Sequence, residues 1–291
     1  METSELLKRV RKIEIKSRGL TNQIFSGQYH SAFKGRGMAF SEVREYNYGD
    51  DIRSIDWNVT ARFNHPYVKI FEEERELTVM LLIDVSGSNN FGTQQMLKSE
   101  KITEIAAVLA FSAIQNNDKV GVVFFSDRIE KFIPPKKGTS HILRIIRELV
   151  DFRPQSNLTK LSEPLRFLTN AIKKRCTAFL ITDFMDTNFS DAIKIASRKH
   201  DLVGVRIVDK REMEIPPVGL LKIRDFESNK TLWVDTSGSE FQKIQKSQWQ
   251  QHENNLYNIF IKSRIDVATV STDEDFIKPL VKLFKKRESR F

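Results

Sequence analysis

The stretch from Leu77 to Gly92 reads LTVMLLIDVSGSNNFG, an almost unbroken run of apolar residues that ends abruptly in Asp84, Ser86 and Ser88. An apolar run bounded by charge is the pattern of a parallel strand covered on both faces. The loop beyond the carboxyl end of such a strand is where sheets of this kind bind ligands. Asp84, Ser86 and Ser88 place one carboxylate and two hydroxyls on alternate residues. An oxygen-only set suits a hard divalent cation, Mg²⁺ or Mn²⁺, which keeps several waters and needs few protein ligands. The alternative is that these side chains cap the helix that follows.

Three residues do not enclose an ion, so a second carboxylate is expected from a neighbouring strand. Thr177 to Asp183, TAFLITD, repeats the pattern of apolar strand followed by Asp, and Thr159 lies between the two in the loop-like PQSNLTKLSEP. The expected ligand set is Asp84, Ser86, Ser88, Thr159 and Asp183. Two rival motifs fail on chemistry. Gly87 to Gly92 has the glycine spacing of a phosphate loop, but Thr93 and Gln94 stand where that loop needs Lys. An aspartyl-phosphate phosphatase places a second acid two residues after its nucleophile, where this chain has Ser86.

These five residues, in this chain order, resemble the metal ion-dependent adhesion site of von Willebrand factor A domains, in which two aspartates, two serines and a threonine surround a divalent ion directly or through water. The chain departs from that pattern at Asn89, where Met is common, and at Lys160, where Asp is common. Neither change removes a ligand, but Lys160 is expected to put positive charge beside the site.

Ahead of this region, Leu6, Leu7, Val10 and Ile13 are spaced as one face of a helix over about residues 1–20. From Gly19 to about Glu76, glycines break short extended pieces such as GMAF and YVKIF, the pattern of a small β-rich subdomain. Within it, GDDIRSIDWNVTARF combines a turn at Gly49-Asp50-Asp51 with Arg53, Asp56, Trp57 and Arg62, which is expected to form a buried salt-bridge clamp around the Trp, the alternative being a binding site. Trp57 and Phe40 are expected to pack this segment against the larger domain. Gly35-x-Gly37-x-x-Phe40, Arg44-x-Tyr46, Gly49-Asp50-Asp51-x-Arg53-x-Ile55-Asp56-Trp57 and Ala61-Arg62 resemble the signature of domain-of-unknown-function family fifty-eight. Members of that family join such a segment to a von Willebrand A-like domain, and the tail STDEDFIKPLVKLFKKR extends the resemblance over nearly the whole chain. The resemblance implies genes found beside those of MoxR-type AAA+ ATPases and other von Willebrand A-like proteins, and a role in assembly, cofactor insertion or stress tolerance.

The remaining chain alternates helix and strand. Helical patterns at 96–115, 139–152, 161–174 and 189–199 are interleaved with strand patterns at 119–126, 128–133, 177–183 and 202–208, and the 128–133 strand returns antiparallel before Pro134-Pro135. LLKIRDFE and KTLWVD read as an inserted hairpin, followed by a long helix from Ser239, a strand at 266–270 and a last helix capped by Thr272. The expected architecture is α/β, with a doubly wound, mostly parallel sheet. The expected division is 1–76, the helix and β-rich segment, and 77–291, the von Willebrand A-like domain with its hairpin and helix at 215–262.

Cys176 is the one cysteine, which rules out an internal disulfide and fits a reducing cytoplasm. No apolar stretch approaches the roughly 20 residues that span a bilayer. The five histidines are scattered without ligand-like spacing. The net charge of +9 is uneven, with 11 basic against 3 acidic residues over 131–175 and 13 against 12 over 1–76. The basic segment encloses Thr159, so a field that draws acidic partners is expected near the metal face. Three function classes follow. The first is a non-enzymatic, metal-dependent protein-interaction module whose partner supplies an acidic residue. The second is nucleic-acid binding through 131–175, although no nucleic-acid module is recognisable. The third is a hydrolase in which the cation activates water.

Overall fold

The computed structural model describes residues 3–20, 39–72, 77–92, 96–224 and 230–289. It divides into two compact units, Lys34–Leu77 and the rest of the chain.

In the larger unit, helix α1 (Thr3–Leu20) opens the chain. In the smaller unit, β1 (Ala39–Glu45) and β2 (Tyr67–Glu72) form an antiparallel pair, and α2 (Trp57–Phe63) lies between them in sequence. The Gly49 turn, at φ +108°, is tied by Asp50, whose carboxylate accepts both fork bonds of Arg44, at 2.8 and 2.7 Å, and the amide of Asn47 at 2.8 Å. Asp56 caps α2 through the amides of Asn58 and Val59 and pairs with Lys69 at 3.4 Å. The acids of the expected clamp are therefore used, but their partners are Arg44 and Lys69 rather than Arg53 and Arg62. Trp57 is 67% exposed, which corrects its expected burial: the Asp56 cap starts a helix there and turns its first side chain outward. The side chain of Phe40 lies outside the described residues.

The larger unit continues with β3 (Thr78–Asp84), α3 (Lys98–Gln115), β4 (Lys119–Phe125), β5 (Ile129–Lys136), α4 (Thr139–Asp151), α5 (Ser162–Ala171), β6 (Thr177–Thr182), α6 (Ser190–Lys199), β7 (Asp201–Val208) and the short α7 (Lys210–Met213). The hairpin β8 (Leu220–Arg224) and β9 (Thr231–Asp235), helix α8 (Ser239–Ser263), β10 (Asp266–Ser271) and α9 (Ile277–Glu288) complete it. The sheet order is β10-β7-β6-β3-β4-β5, and every neighbouring pair is parallel except β4 and β5. This is the doubly wound α/β sheet expected from the sequence. β5 runs through Pro134 and Pro135 instead of stopping before them, because an edge strand tolerates residues without an amide donor.

The apolar run of β3 is unbroken because both of its faces are covered. Met80 and Leu82 meet α5, α6 and the turn after β6 through Leu161, Leu165, Leu168, Phe184 and Phe189. The alternate residues Val79, Leu81 and Ile83 are also fully buried, and α3 packs on β3 and β4. Helix α1 rests on α3 and α4. The hairpin forms as expected. Thr272 does not cap the last helix: its hydroxyl donates to Asp209 at 2.7 Å, and Asp275 accepts from the amide of Ile277 at 3.0 Å. Among the described residues no helix is long and apolar enough to cross a membrane.

Cys176 is buried with its Sγ 3.2 Å from Nδ1 of His200, itself fully buried. Burial pushes the thiol up to about 12. Burial, then the charges of Lys199 and Arg175, hold the imidazole down at about 4. A depressed histidine contributes stability that is present above its unfolded value of 6.5 and is lost as pH falls towards 4. The urea midpoint of wild type is therefore expected to fall relative to that of His200→Gln across this window. Parallel curves for the two proteins would show that His200 takes up its proton freely in the fold.

Candidate metal centre

Asp84 ends β3 opposite Phe125 of β4, while Ile83 pairs with Ile181 of β6. Asp183, two residues beyond Ile181, therefore leaves the sheet beside Asp84. The two carboxylates are 1% and 2% exposed. Both oxygens of Asp84 are fixed: Oδ1 accepts from the amide of Ser86 at 2.9 Å, and Oδ2 accepts from the hydroxyl of Thr182 at 2.6 Å. Burial, and next the charge of Asp183, push the Asp84 carboxyl up to about 6.

The loop after β3 makes one 3-10 turn over Gly87–Asn90, which sets the hydroxyls of Ser86 and Ser88 3.2 Å apart. Two oxygens on one edge of an octahedron with ligands at about 2.1 Å are separated by about 3 Å, so this spacing fits adjacent ligand positions. Asn89, where the sequence departs from the common pattern, is 2% exposed and donates to the carbonyl of Asp84 at 3.0 Å. Its Oδ1 is buried without a hydrogen-bond partner, an acceptor that a hydrated cation would satisfy. Asp84, Ser86 and Asn89 also border a cavity of about 690 Å³ walled by α1, α3 and α4.

The loop carrying Thr159 reaches this turn through the amide of Gly87, which donates to the carbonyl of Asn157 at 2.9 Å, and the amide of Lys160 is held by the carbonyl of Ser126 at 3.2 Å. Thr159 is half-buried there. Among the described residues no three His, Cys, Asp or Glu side chains cluster as a metal site.

The positive charge at the centre is not that of Lys160, which is turned outward and pairs with Glu163 at 2.9 Å. It is that of Lys98, the first residue of α3, whose side chain is wholly buried. Its Nζ donates to Asp183 Oδ2 at 3.2 Å and to Glu212 Oε1 at 2.5 Å. Burial opposes the ammonium, but Asp183 and Glu212 outweigh it and shift it upward. Burial raises the Glu212 carboxyl, against the pull of Lys98. Sequence reasoning missed this lysine, although a signal existed: Lys98 falls four residues before Ile102 and seven before Ile105, on the buried stripe of its helix. Arg206 Nε holds the carbonyl of Asp183 at 3.4 Å, and its guanidinium pairs with Glu253 at 2.9 Å.

The chain matches the family described as Protein of unknown function DUF58 over residues 42–255. It is 26% identical over 231 residues to the uncharacterised protein Rv1480 of Mycobacterium tuberculosis, covering 78% of this chain and 73% of that one. Among solved structures, the conserved hypothetical protein BatB from Bacteroides thetaiotaomicron aligns at 17% identity and a TM-score of 0.47, covering 73% of this chain and 99% of that chain. The SpRpn10 VWA domain aligns at 11% identity and a TM-score of 0.39, covering 71% and 94%.

Proposed function

Because this chain belongs to the DUF58 family, whose function is unknown, we infer its function from the residues at the carboxyl ends of β3 and β6: a metal-dependent, non-enzymatic protein-interaction module. Asp84, Ser86, Ser88, Thr159 and Asp183 would hold one Mg²⁺ or Mn²⁺, directly or through water. The observation that carries this reading is the adjacency of the Ser86 and Ser88 hydroxyls, at 3.2 Å, beside two buried carboxylates. When bound, the ion supplies an electrophilic position for one further anionic oxygen, because hydroxyl ligands neutralise it less than carboxylates do.

The partner then offers an Asp or Glu, and the basic 131–175 segment favours its approach. The groups around the carboxylates support binding over catalysis: Asp84 is held by Thr182 and the Ser86 amide, and Asp183 by Lys98 and the Met185 amide. The family resemblance adds the class of partner, a MoxR-type AAA+ ATPase or a related von Willebrand A-like protein, and the single cysteine fits action in the cytoplasm.

The test is binding of such an ATPase to wild type and to Asp84→Ala, each with Mg²⁺ and with chelator. Binding is expected only for wild type with Mg²⁺. Equal affinity in all four mixtures would refute the bridge. Binding of DNA or RNA whose log affinity falls linearly with log salt, indifferent to chelator, would favour the nucleic-acid reading instead.

A further inference from the structure

We propose that Lys98 is a built-in competitor for the divalent cation, so that loading the centre requires its ammonium to leave Asp183 and rest on Glu212. The proposal builds on the metal reading above and deepens it. Asp183 has both oxygens engaged in this structure, Oδ1 by the amide of Met185 at 3.2 Å and Oδ2 by Lys98 at 3.2 Å. A divalent ion that takes Asp183 as a ligand meets an ammonium already bonded to the same carboxylate. Two cations that share one carboxylate repel, and because the side chain of Lys98 is wholly buried, water does little to screen the ammonium.

Glu212 provides the second resting place. Its Oε1 is 2.5 Å from Nζ, and its Oε2 accepts from the amide of Asp209 at 3.3 Å, so its position is fixed by the capping of α7 and does not depend on the lysine. The Lys98 backbone is also fixed, its amide bonded to the carbonyl of Phe91 at 2.9 Å, with the Phe91 ring 6.0 Å from Nζ. The movement is thus confined to one side chain pivoting between two acids. An unpaired buried ammonium would be costly. A shared one shifts at small cost and leaves no charge without a partner. The functional consequence is coupling: an ion that loads weakly alone loads better when a partner carboxylate adds negative charge, and by linkage the ion strengthens the partner's binding equally.

Mn²⁺ titration calorimetry on wild type, Lys98→Met and the double variant Lys98→Met/Glu212→Gln tests this, with melting curves to check folding. Lys98→Met is expected to bind Mn²⁺ roughly tenfold or more tightly, since a unit charge within a few Å of the ion is removed. The double variant loses one charge of each sign and so keeps the net charge of the cluster. It is expected to remain tighter than wild type, because the ammonium on Asp183 is what competes. A double variant no tighter than wild type overturns the proposal, as does an unimproved Lys98→Met, and with wild type still binding Mn²⁺ either result leaves the metal reading standing. Failure of every folded variant and of wild type to bind Mn²⁺ overturns both. Should Lys98→Met not fold, Glu212→Gln alone decides: it confines the ammonium to Asp183, so weaker Mn²⁺ binding is expected and unchanged binding refutes the competition.

Discussion

Asp84→Asn is expected to abolish Mn²⁺ binding and, in the metal-free protein at neutral pH, to make the fold more stable than wild type. Both effects follow from one carboxylate. It sits 1% exposed at the end of β3, and burial and the neighbouring Asp183 push it up to about 6, above the ordinary value of 3.8. A carboxyl raised in the fold binds its proton more tightly there than in the unfolded chain, so ionisation at pH 7 counts against folding. Asparagine keeps an acceptor for the Ser86 amide and offers its amide group to the Thr182 oxygen, without the charge. The expected gain is roughly 1 to 3 kcal/mol by urea denaturation with chelator present. The expected loss of Mn²⁺ affinity by calorimetry exceeds about 100-fold, because even groups outside the ligand shell are worth about 10- to 100-fold. A folded Asp84→Asn with wild-type affinity would put the ion elsewhere. A less stable one would show that the charge itself holds the loop. A site that costs stability unless loaded is the mark of a residue kept for function.

The sheet and the two aspartates are legible in the sequence because they rest on local pattern. An apolar run that stops at an Asp announces both the buried strand and a carboxylate at its end, and β3 and β6 repeat the signal. Legibility ends where a partner comes from afar. Lys98 lies 85 residues from Asp183 and 114 from Glu212, so helical periodicity places it on the buried face of α3 without saying what it meets there. Lys160 misled for the complementary reason: adjacency to Thr159 is adjacency in sequence, and Glu163, one turn on, takes its charge. Asp56 and Thr272 misled through capping. The Asp before Trp57 suggests one arm of a clamp, and besides pairing with Lys69 it starts a helix; the Thr before the last helix suggests a cap, but its hydroxyl belongs to Asp209. In each case the residue type was informative, and the tertiary partner decided among its uses.

Phe184→Ala is expected to cost about 3 to 5 kcal/mol, the range for emptying a buried phenylalanine site. Phe184→Gly should be no worse, against the usual order of those two residues. Phe184 is fully buried, with ring centroids 5.1 Å from Phe260 and 6.0 Å from Phe189, yet its backbone sits at φ +59°. A residue with a Cβ is strained in that left-handed region by roughly 1 to 2 kcal/mol, and glycine is not. Aromatic packing therefore holds a strained turn immediately after Asp183. The same turn positions Asp183: the Phe184 amide lies 3.4 Å from the Thr182 hydroxyl, which in turn donates to Asp84, so one hydroxyl ties the ends of β3 and β6 together. Without the ring, the turn loses its anchor, and Asp183 is free to follow Lys98 away from Asp84. Mn²⁺ affinity is then expected to fall by about tenfold in both variants, a loss that denaturation curves alone would not reveal. If Phe184→Gly proves at least 1 kcal/mol less stable than Phe184→Ala, the positive φ is not a strain that the packing must overcome. If affinity is unchanged in both, the position of Asp183 is set by Arg206, Lys98 and the Met185 amide without help from the ring.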